Sequence, residues 1–173
     1  MNTLETPRLR LLPLSGRQLG LCLHNLPALE RDLGFPFARE VVDTSVLRAL
    51  GIKLKKMSLA DPSRYAWYTY WLIVLKAENI GAGLVGFKGF PDEHGSSEIG
   101  YGIAPTYQNQ GYMTKAVRGL VAWAFNHPFC KKVTAITVKN PASRRVLEKM
   151  GFALVEETAE AASWKIDRRS LTA

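Results

Sequence analysis

One stretch decides how this chain folds: Ile103-Ala104-Pro105-Thr106-Tyr107-Gln108-Asn109-Gln110-Gly111-Tyr112-Met113-Thr114. Glu98 to Ile103 reads as a strand, and Pro105 ends it because proline supplies no ladder donor. A polar turn follows and opens into a helical pattern from about Gly111 to Asn126, with Val117, Leu120, Val121 and Ala124 on its inner face. Pro128 stops that helix. A strand, a turn and a helix in this order leave successive backbone N–H groups pointing into one concavity, because the first N–H groups of a helix have no intrahelical acceptor. An anion takes such donors, and Gly111 permits close backbone approach or an unusual turn conformation. Gln108 and Gln110 add polar contacts. An ordinary strand-to-helix loop has the same outline, and neither a P-loop ending nor a dinucleotide-binding glycine pattern is present.

Downstream, Lys132 to Val138 reads as a strand that leads into Asn140-Pro141-Ala142-Ser143-Arg144-Arg145-Val146-Leu147-Glu148-Lys149-Met150-Gly151-Phe152. Asn140 is a good N-cap and Pro141 suits the first helical position, so a helix is expected over Pro141 to Met150. Val146, Leu147 and Met150 can face a sheet, and Gly151 permits termination. Phe152 to Glu156 reads as the next strand. The alternation from Ser163 to Ile166 reads as a closing edge strand.

Upstream, Arg8 to Leu12 opens the chain as a strand stopped by Pro13. Ser15 caps a helix towards His24 with Leu19, Leu23 and Leu26 on one face, and Pro27 interrupts it. Gly34-Phe35-Pro36 marks a further break. Val42, Val46, Leu50 and Leu54 then recur at four-residue spacing, which predicts an amphipathic helix over Val41 to Leu54. Tyr65 to Leu75, a turn at Glu78-Asn79, and Ala82 to Phe90 predict a β-hairpin, with Pro91 to Ser96 as a polar connection. Mixed strands and helices favour an α/β or α+β sheet protein over a helix bundle. No repeat or low-complexity segment divides the chain, so residues 1–173 are expected to form one domain.

Composition narrows the function. At 173 residues, with 47% apolar and 22% charged residues, the chain fits a globular domain and excludes general disorder. No run of about 18 apolar residues is present to span a bilayer. Met1-Asn2-Thr3-Leu4-Glu5-Thr6-Pro7 lacks the regions of a secretory signal, which makes the cytoplasm the expected location with no membrane partner. Cys22 and Cys130 sit among apolar residues and read as buried thiols. His24, His94 and His127 are too scattered for a zinc signature, so no metal is expected. The net charge of +8 suits a phosphorylated ligand, an acidic protein surface or a plain solvated face. The basic residues form no long arm, and neither a helix-turn-helix nor an aromatic-interleaved RNA surface is evident. Direct nucleic-acid binding is therefore not expected.

Taken together, the two motifs resemble those of the GNAT superfamily of N-acetyltransferases. That family's pyrophosphate motif is Gln/Arg-x-x-Gly-x-Gly/Ala, matched here by Gln108-Asn109-Gln110-Gly111-Tyr112-Met113, with Met113 departing at the last position. Glu98-Ile99-Gly100-Tyr101 and Ile103-Ala104-Pro105 look like the family's central strand and its exit. The likeness starts at Thr6-Pro7-Arg8-Leu9 and covers almost the whole chain. It is nearest to ribosomal-protein N-terminal acetyltransferases, through Glu98, Ser143 and the first-strand pattern.

The resemblance implies an α/β (α+β) fold with a mixed, mostly antiparallel central sheet, two splayed central strands and helices on both faces. It implies acetyl-CoA as cofactor and CoA as product, with Ile103, Gln108, Asn109, Gln110, Gly111, Tyr112, Met113, Thr114 and Asn140 as binding residues. Met113 is compatible with this because the family uses mainly backbone donors there. Asn140 has either a ligand or a capping role. Lys115, Arg118, Arg144 and Arg145 are candidate contacts for the additional phosphate, with plain surface solvation as the alternative for each. Glu98 is the implied general base, with a substrate-orienting or solvated role as the alternative. Many family members place a tyrosine near the departing sulfur where this chain has Leu147, which cannot donate a proton. Ser143 resembles the serine that the ribosomal-protein enzymes use in the same helix region. Cys130 has no adjacent histidine to activate it, which favours direct transfer over a covalent carrier.

The implied acceptor is an amine, with a peptide or ribosomal-protein N-terminus ahead of a small primary amine; a non-catalytic acetyl-CoA sensor is the rival reading. The region from Leu29 to Tyr70 is expected to build much of the acceptor entrance. Lys53, Lys55 and Lys56 there disfavour a strongly cationic acceptor unless they point away. A homodimer is compatible with the family.

Overall fold

The computed structural model describes residues 2–171. Strands β1 (Leu4–Glu5) and β2 (Leu9–Pro13) pair antiparallel, with Pro13 as the last residue of β2. Ser15 caps α1 (Gly16–His24): its hydroxyl accepts the Gln18 N–H, and Gln18 Oε1 accepts the Ser15 N–H. Asn25 then caps a second helix, α2 (Leu26–Leu33). Pro27 therefore opens a helix instead of only interrupting one, since its missing N–H costs nothing in a first turn. Gly34 closes α2 in the left-handed conformation, at φ 77°.

The next helix differs from the reading by spacing. α3 spans Thr44–Leu59, because Asp43 accepts the Val46 N–H at 2.8 Å and so fixes the start beyond Val42. Its inner face carries Leu50 and Met57 and also a lysine, Lys53, which is only 6% exposed. The expected first hairpin strand is also shorter. Tyr65–Tyr68 forms a helical turn, α4, and only Trp71–Leu75 is strand, β3. Packing overrides β-propensity there: Trp67 sits 4.7 Å from the Trp123 ring and 5.0 Å from Phe87, while Trp71 Nε1 donates to the Ala66 carbonyl at 3.0 Å.

The hairpin closes through β4 (Ile80–Phe87), followed by β5 (Ser96–Ile103), α5 (Tyr112–Phe125), β6 (Lys132–Val138) and α6 (Pro141–Lys149). β7 (Ala153–Glu157), β8 (Ala162–Asp167) and a short α7 (Arg168–Leu171) complete the described chain. The sheet has eight strands in the order β1-β2-β3-β4-β5-β6-β8-β7. The reading of Ser163 to Ile166 as an edge strand is corrected: β8 pairs with β6 on one side and β7 on the other. Its alternating Ala162, Trp164 and Ile166 are buried, whereas all five residues of β7 are exposed at the true edge.

All the pairs are antiparallel except β5 with β6, which run parallel and are joined only from Ser96 to Glu98. Beyond Glu98 the two strands part, which is the expected splay. Helices cover both faces. On one, Leu120, Val121 and Leu147 pack with Leu9, Ile73 and Val85; on the other, Leu19, Leu29 and Leu50 pack with Leu72, Val74 and Leu84. Alternation along β3 feeds both cores, and each fully buried Leu or Val contributes about 1.5–3 kcal/mol of transfer free energy.

Candidate active site

The splay exposes backbone groups that a closed sheet would consume. Lys88 N–H donates to the Glu98 carbonyl, and Ala104 N–H donates to the Ala82 carbonyl. These bonds set the even-numbered residues of β5 towards β4, so alternation turns the N–H and C=O groups of Ile99, Tyr101 and Ile103 into the gap. The same alternation sends the side chains of Glu98, Gly100 and Gly102 to the α3 face. A Cβ added at Gly100 or Gly102 would meet nothing within 4 Å, so that face of β5 is an open shelf.

After β5, a 3₁₀ turn over Pro105–Tyr107 leads to Asn109 and Gly111, both left-handed at φ 60° and 76°. Asparagine and glycine tolerate this conformation best. Gly111 caps α5 without a side chain, and the Lys115 N–H, bonded to the Gly111 carbonyl at 3.2 Å, is the first that the helix uses. The N–H groups of Tyr112, Met113 and Thr114 are left as free donors at the positive end of the helix dipole.

A cleft of about 380 Å³ joins these features. Of the residues expected to bind cofactor, Ile103, Gln108, Asn109, Gly111, Tyr112, Met113, Thr114 and Asn140 line it, together with Ser143. Gln110 does not; its side-chain amide instead donates to the Thr106 carbonyl at 3.1 Å and holds the turn. Asn140 Oδ1 accepts the Ala142 N–H at 2.8 Å, which uses its carbonyl for capping and leaves its amide donors available. Ser143 stands in the first turn of α6, and among the described residues no group takes its hydroxyl. Leu147, at the position where a tyrosine was absent, is fully buried in the core.

Three expected contacts fall elsewhere. Arg144 pairs with Glu157 at 2.7 Å and donates to the Val138 carbonyl, while Lys115 and Arg118 are exposed and lie outside the cleft lining. Arg145 does line it, joined by Lys149 one helical turn later. The i,i+4 spacing of these two basic residues was a usable signal for a shared face. The opposite wall comes from Glu40 to Val46, inside the Leu29 to Tyr70 region expected at the acceptor entrance, although no motif singled out these residues. Burial pushes the thiols of Cys22 and Cys130 up to about 11, and neither lines the cleft.

Tyr101 is the other residue that the sequence left as a simple sheet residue. Its hydroxyl donates to the Ser143 carbonyl at 3.0 Å and so ties β5 to α6 across the open gap. Burial raises its pKa, which keeps it protonated and a donor. Glu98 lies outside the cleft lining, on the α3 face, where its carboxylate pairs with Lys88.

The family model described as "Acetyltransferase (GNAT) domain" matches residues 8–153. The chain belongs to the GNAT acetyltransferases. It is 30% identical over 165 residues to the uncharacterized N-acetyltransferase YjdG of Bacillus subtilis, covering 95% of this chain and 97% of that protein. Its fold is similar to that of a ribosomal L7/L12 alpha-N-protein acetyltransferase solved with coenzyme A, at TM-score 0.65 and 18% identity over 96% of this chain and 98% of the other. A spermidine N-acetyltransferase mutant from Vibrio cholerae is similar at TM-score 0.64 and 17% identity, covering 97% and 98% of the two chains. This GNAT acetyltransferase thus shares its fold with enzymes named for different amines. Among its described residues, no helix is long and apolar enough to cross a membrane, and no group of three His, Cys, Asp or Glu side chains could hold a metal.

Proposed function

We propose that this chain is a single-domain, cytoplasmic enzyme that uses acetyl-CoA to acetylate a protein or peptide N-terminal α-amine by direct attack. The observation that carries this reading is the convergence of three things in one cleft: the free N–H groups after Gly111, the open backbone of Tyr101 with the Ile103 N–H, and Ser143. The residues fit the cofactor. Helix-start donors with Arg145 and Lys149 suit a pyrophosphate, and unpaired strand groups suit an amide-bearing arm.

Acetyl-CoA supplies an acetyl group activated as a thioester. Glu98 removes a proton from the acceptor ammonium, directly or through water. An N–H of the splayed strand stabilises the negative charge that develops on the carbonyl oxygen. Ser143 would hydrogen-bond the departing sulfur and relay to it, itself or through water, the second proton that the nitrogen sheds after attack, so that one proton ends on Glu98 and one on the thiol. Holding both reactants across the splay makes the step effectively intramolecular.

Calorimetry with acetyl-CoA and a mass-spectrometric transfer screen over cellular peptides and small amines test the proposal. The expected results are saturable binding and a 42 Da gain on a protein α-amine. Absence of binding, or transfer to small amines alone, overturns it.

A further inference from the structure

The end of the shelf that bears Glu98 has an unusual charge pattern. Lys88 pairs with this carboxylate, and Lys56 and the buried Lys53 stand behind it on α3, each bonded to the backbone at Lys88 or its neighbour. Lys56 Nζ donates to the Lys88 carbonyl at 2.8 Å, and Lys53 Nζ donates to the Phe87 carbonyl at 2.5 Å. Lys56 and Lys88 are both close enough to repel Lys53. Lys55, the third lysine of the helix run, is exposed and makes none of these contacts. The two exposed ammonium groups of Lys56 and Lys88 against one carboxylate leave a local charge of +1, to which the buried Lys53 adds when it is protonated. Asp43 caps the far end of α3, ten residues from Lys53 and hence about 15 Å along the helix, too far to cancel it.

We infer that this lysine cluster selects acceptors that carry a carboxylate close to the reacting amine, such as a peptide N-terminus followed by acidic residues, and rejects polycationic amines. The inference rests on the proposed transfer of acetyl to an amine at the Glu98 shelf.

The geometry suits an exchange of ion pairs. Lys88 is 58% exposed and Glu98 22%, so their pair is accessible and held in solvent, where it is weak. An incoming ammonium replaces Lys88 at Glu98, and a carboxylate on the same acceptor takes up the freed Lys88 and its neighbour Lys56. Glu98 and Lys88 then each keep an opposite charge, and the acceptor carboxylate lowers the positive excess of the site. An acceptor with a second ammonium instead adds like charge to a site already in excess, which is selection by repulsion. Gly100 and Gly102 provide the room beside the pair, because no side chain rises from β5 there.

The test compares two N-terminal hexapeptides that share their first residue and continue with either acidic or basic residues. A parallel pair of small amines, glutamate and putrescine, reads the same charge preference without a peptide backbone. Wild type is expected to show a kcat/KM about tenfold higher for the acidic peptide, falling as salt is raised. In Lys56→Ala and Lys88→Gln the acidic-to-basic ratio should collapse towards unity, while acetyl-CoA affinity stays unchanged. A preference for the basic peptide or putrescine, or an acidic preference that survives both substitutions, overturns the inference. Transfer to glutamate over putrescine with neither peptide acetylated keeps the charge selection and overturns only the peptide acceptor.

Discussion

The Tyr101 hydroxyl and the Ser143 carbonyl, 3.0 Å apart, tie β5 to α6, the helix that follows β6, at the place where β5 and β6 have separated. Beyond Glu98 no ladder bond holds these strands together, and this contact is expected to help fix how wide the gap stands. Tyr101→Phe keeps the ring and deletes the donor. It should cost about 0.5–1.5 kcal/mol of stability, the usual worth of one hydrogen bond. Because both residues line the cleft, acetyl-CoA affinity should weaken as well, by a few-fold. Urea denaturation and calorimetry on one preparation read both quantities; a stability loss with intact affinity would show that the bond does not govern the gap.

Ser143 itself presents its hydroxyl to the cleft while its carbonyl is occupied by Tyr101. Leu147 is buried and chemically inert, so no tyrosine duplicates Ser143's hydroxyl on this helix. Ser143→Ala should therefore lower kcat and kcat/KM together by roughly a hundredfold, with acetyl-CoA binding within about twofold of wild type. Steady-state kinetics paired with calorimetry separates the two effects. Unchanged turnover would remove Ser143 from the chemistry.

Gly111 holds φ 76° at the start of α5, and a Cβ there would meet no atom within 4 Å. The obstacle to substitution is thus conformational and not a clash. Gly111→Ala should cost about 1–2 kcal/mol through the left-handed backbone, whereas Gly111→Asn should cost less because asparagine tolerates that region. Relaxation of the turn would also disperse the free N–H groups, so acetyl-CoA affinity should fall in the order Gly, Asn, Ala. Thermal unfolding and calorimetry on the two variants check the ranking.

Local chemistry made much of this molecule readable in advance. Pro105, Gly111 and Asn140 act through their own backbones or caps, so the turn and the two following helices stood in the sequence. The failures came where distant packing decided. Tyr65 to Tyr68 has strand-like residues, but Trp67 turns into a cluster with Phe87 and Trp123 that lies far along the chain. The position of β8 inside the sheet depends on which strands it meets, and its alternating pattern suits an edge and an interior position alike. In the cleft, the wall from Glu40 to Val46 and the Tyr101–Ser143 contact depend on how α3 and α6 lie against β5, which no local spacing records.

Lys53 gives a prediction readable in stability alone. Its ammonium lies in the core between α3 and the sheet, donating to the carbonyls of Tyr68, Thr69 and Phe87 and standing 4.4 Å from the Tyr70 ring centroid. Burial lowers its pKa from the ordinary 10.5 to about 7, with repulsion from Lys56 and Lys88 adding to the effect. The unfolded chain therefore binds this proton more tightly than the folded one. Between about pH 7 and 10.5 the unfolded state carries more protons here, so folding stability from this group rises with pH across that window and is lost as pH falls through 7. Lys53→Met removes the titration and leaves the carbonyls without their donor, a cost that does not vary with pH. Urea denaturation at pH 6, 7.5 and 9 should show wild type gaining stability relative to Lys53→Met at each step above neutrality. A constant difference across the three pH values would mean that Lys53 keeps its charge throughout, held by the three carbonyls and the Tyr70 ring.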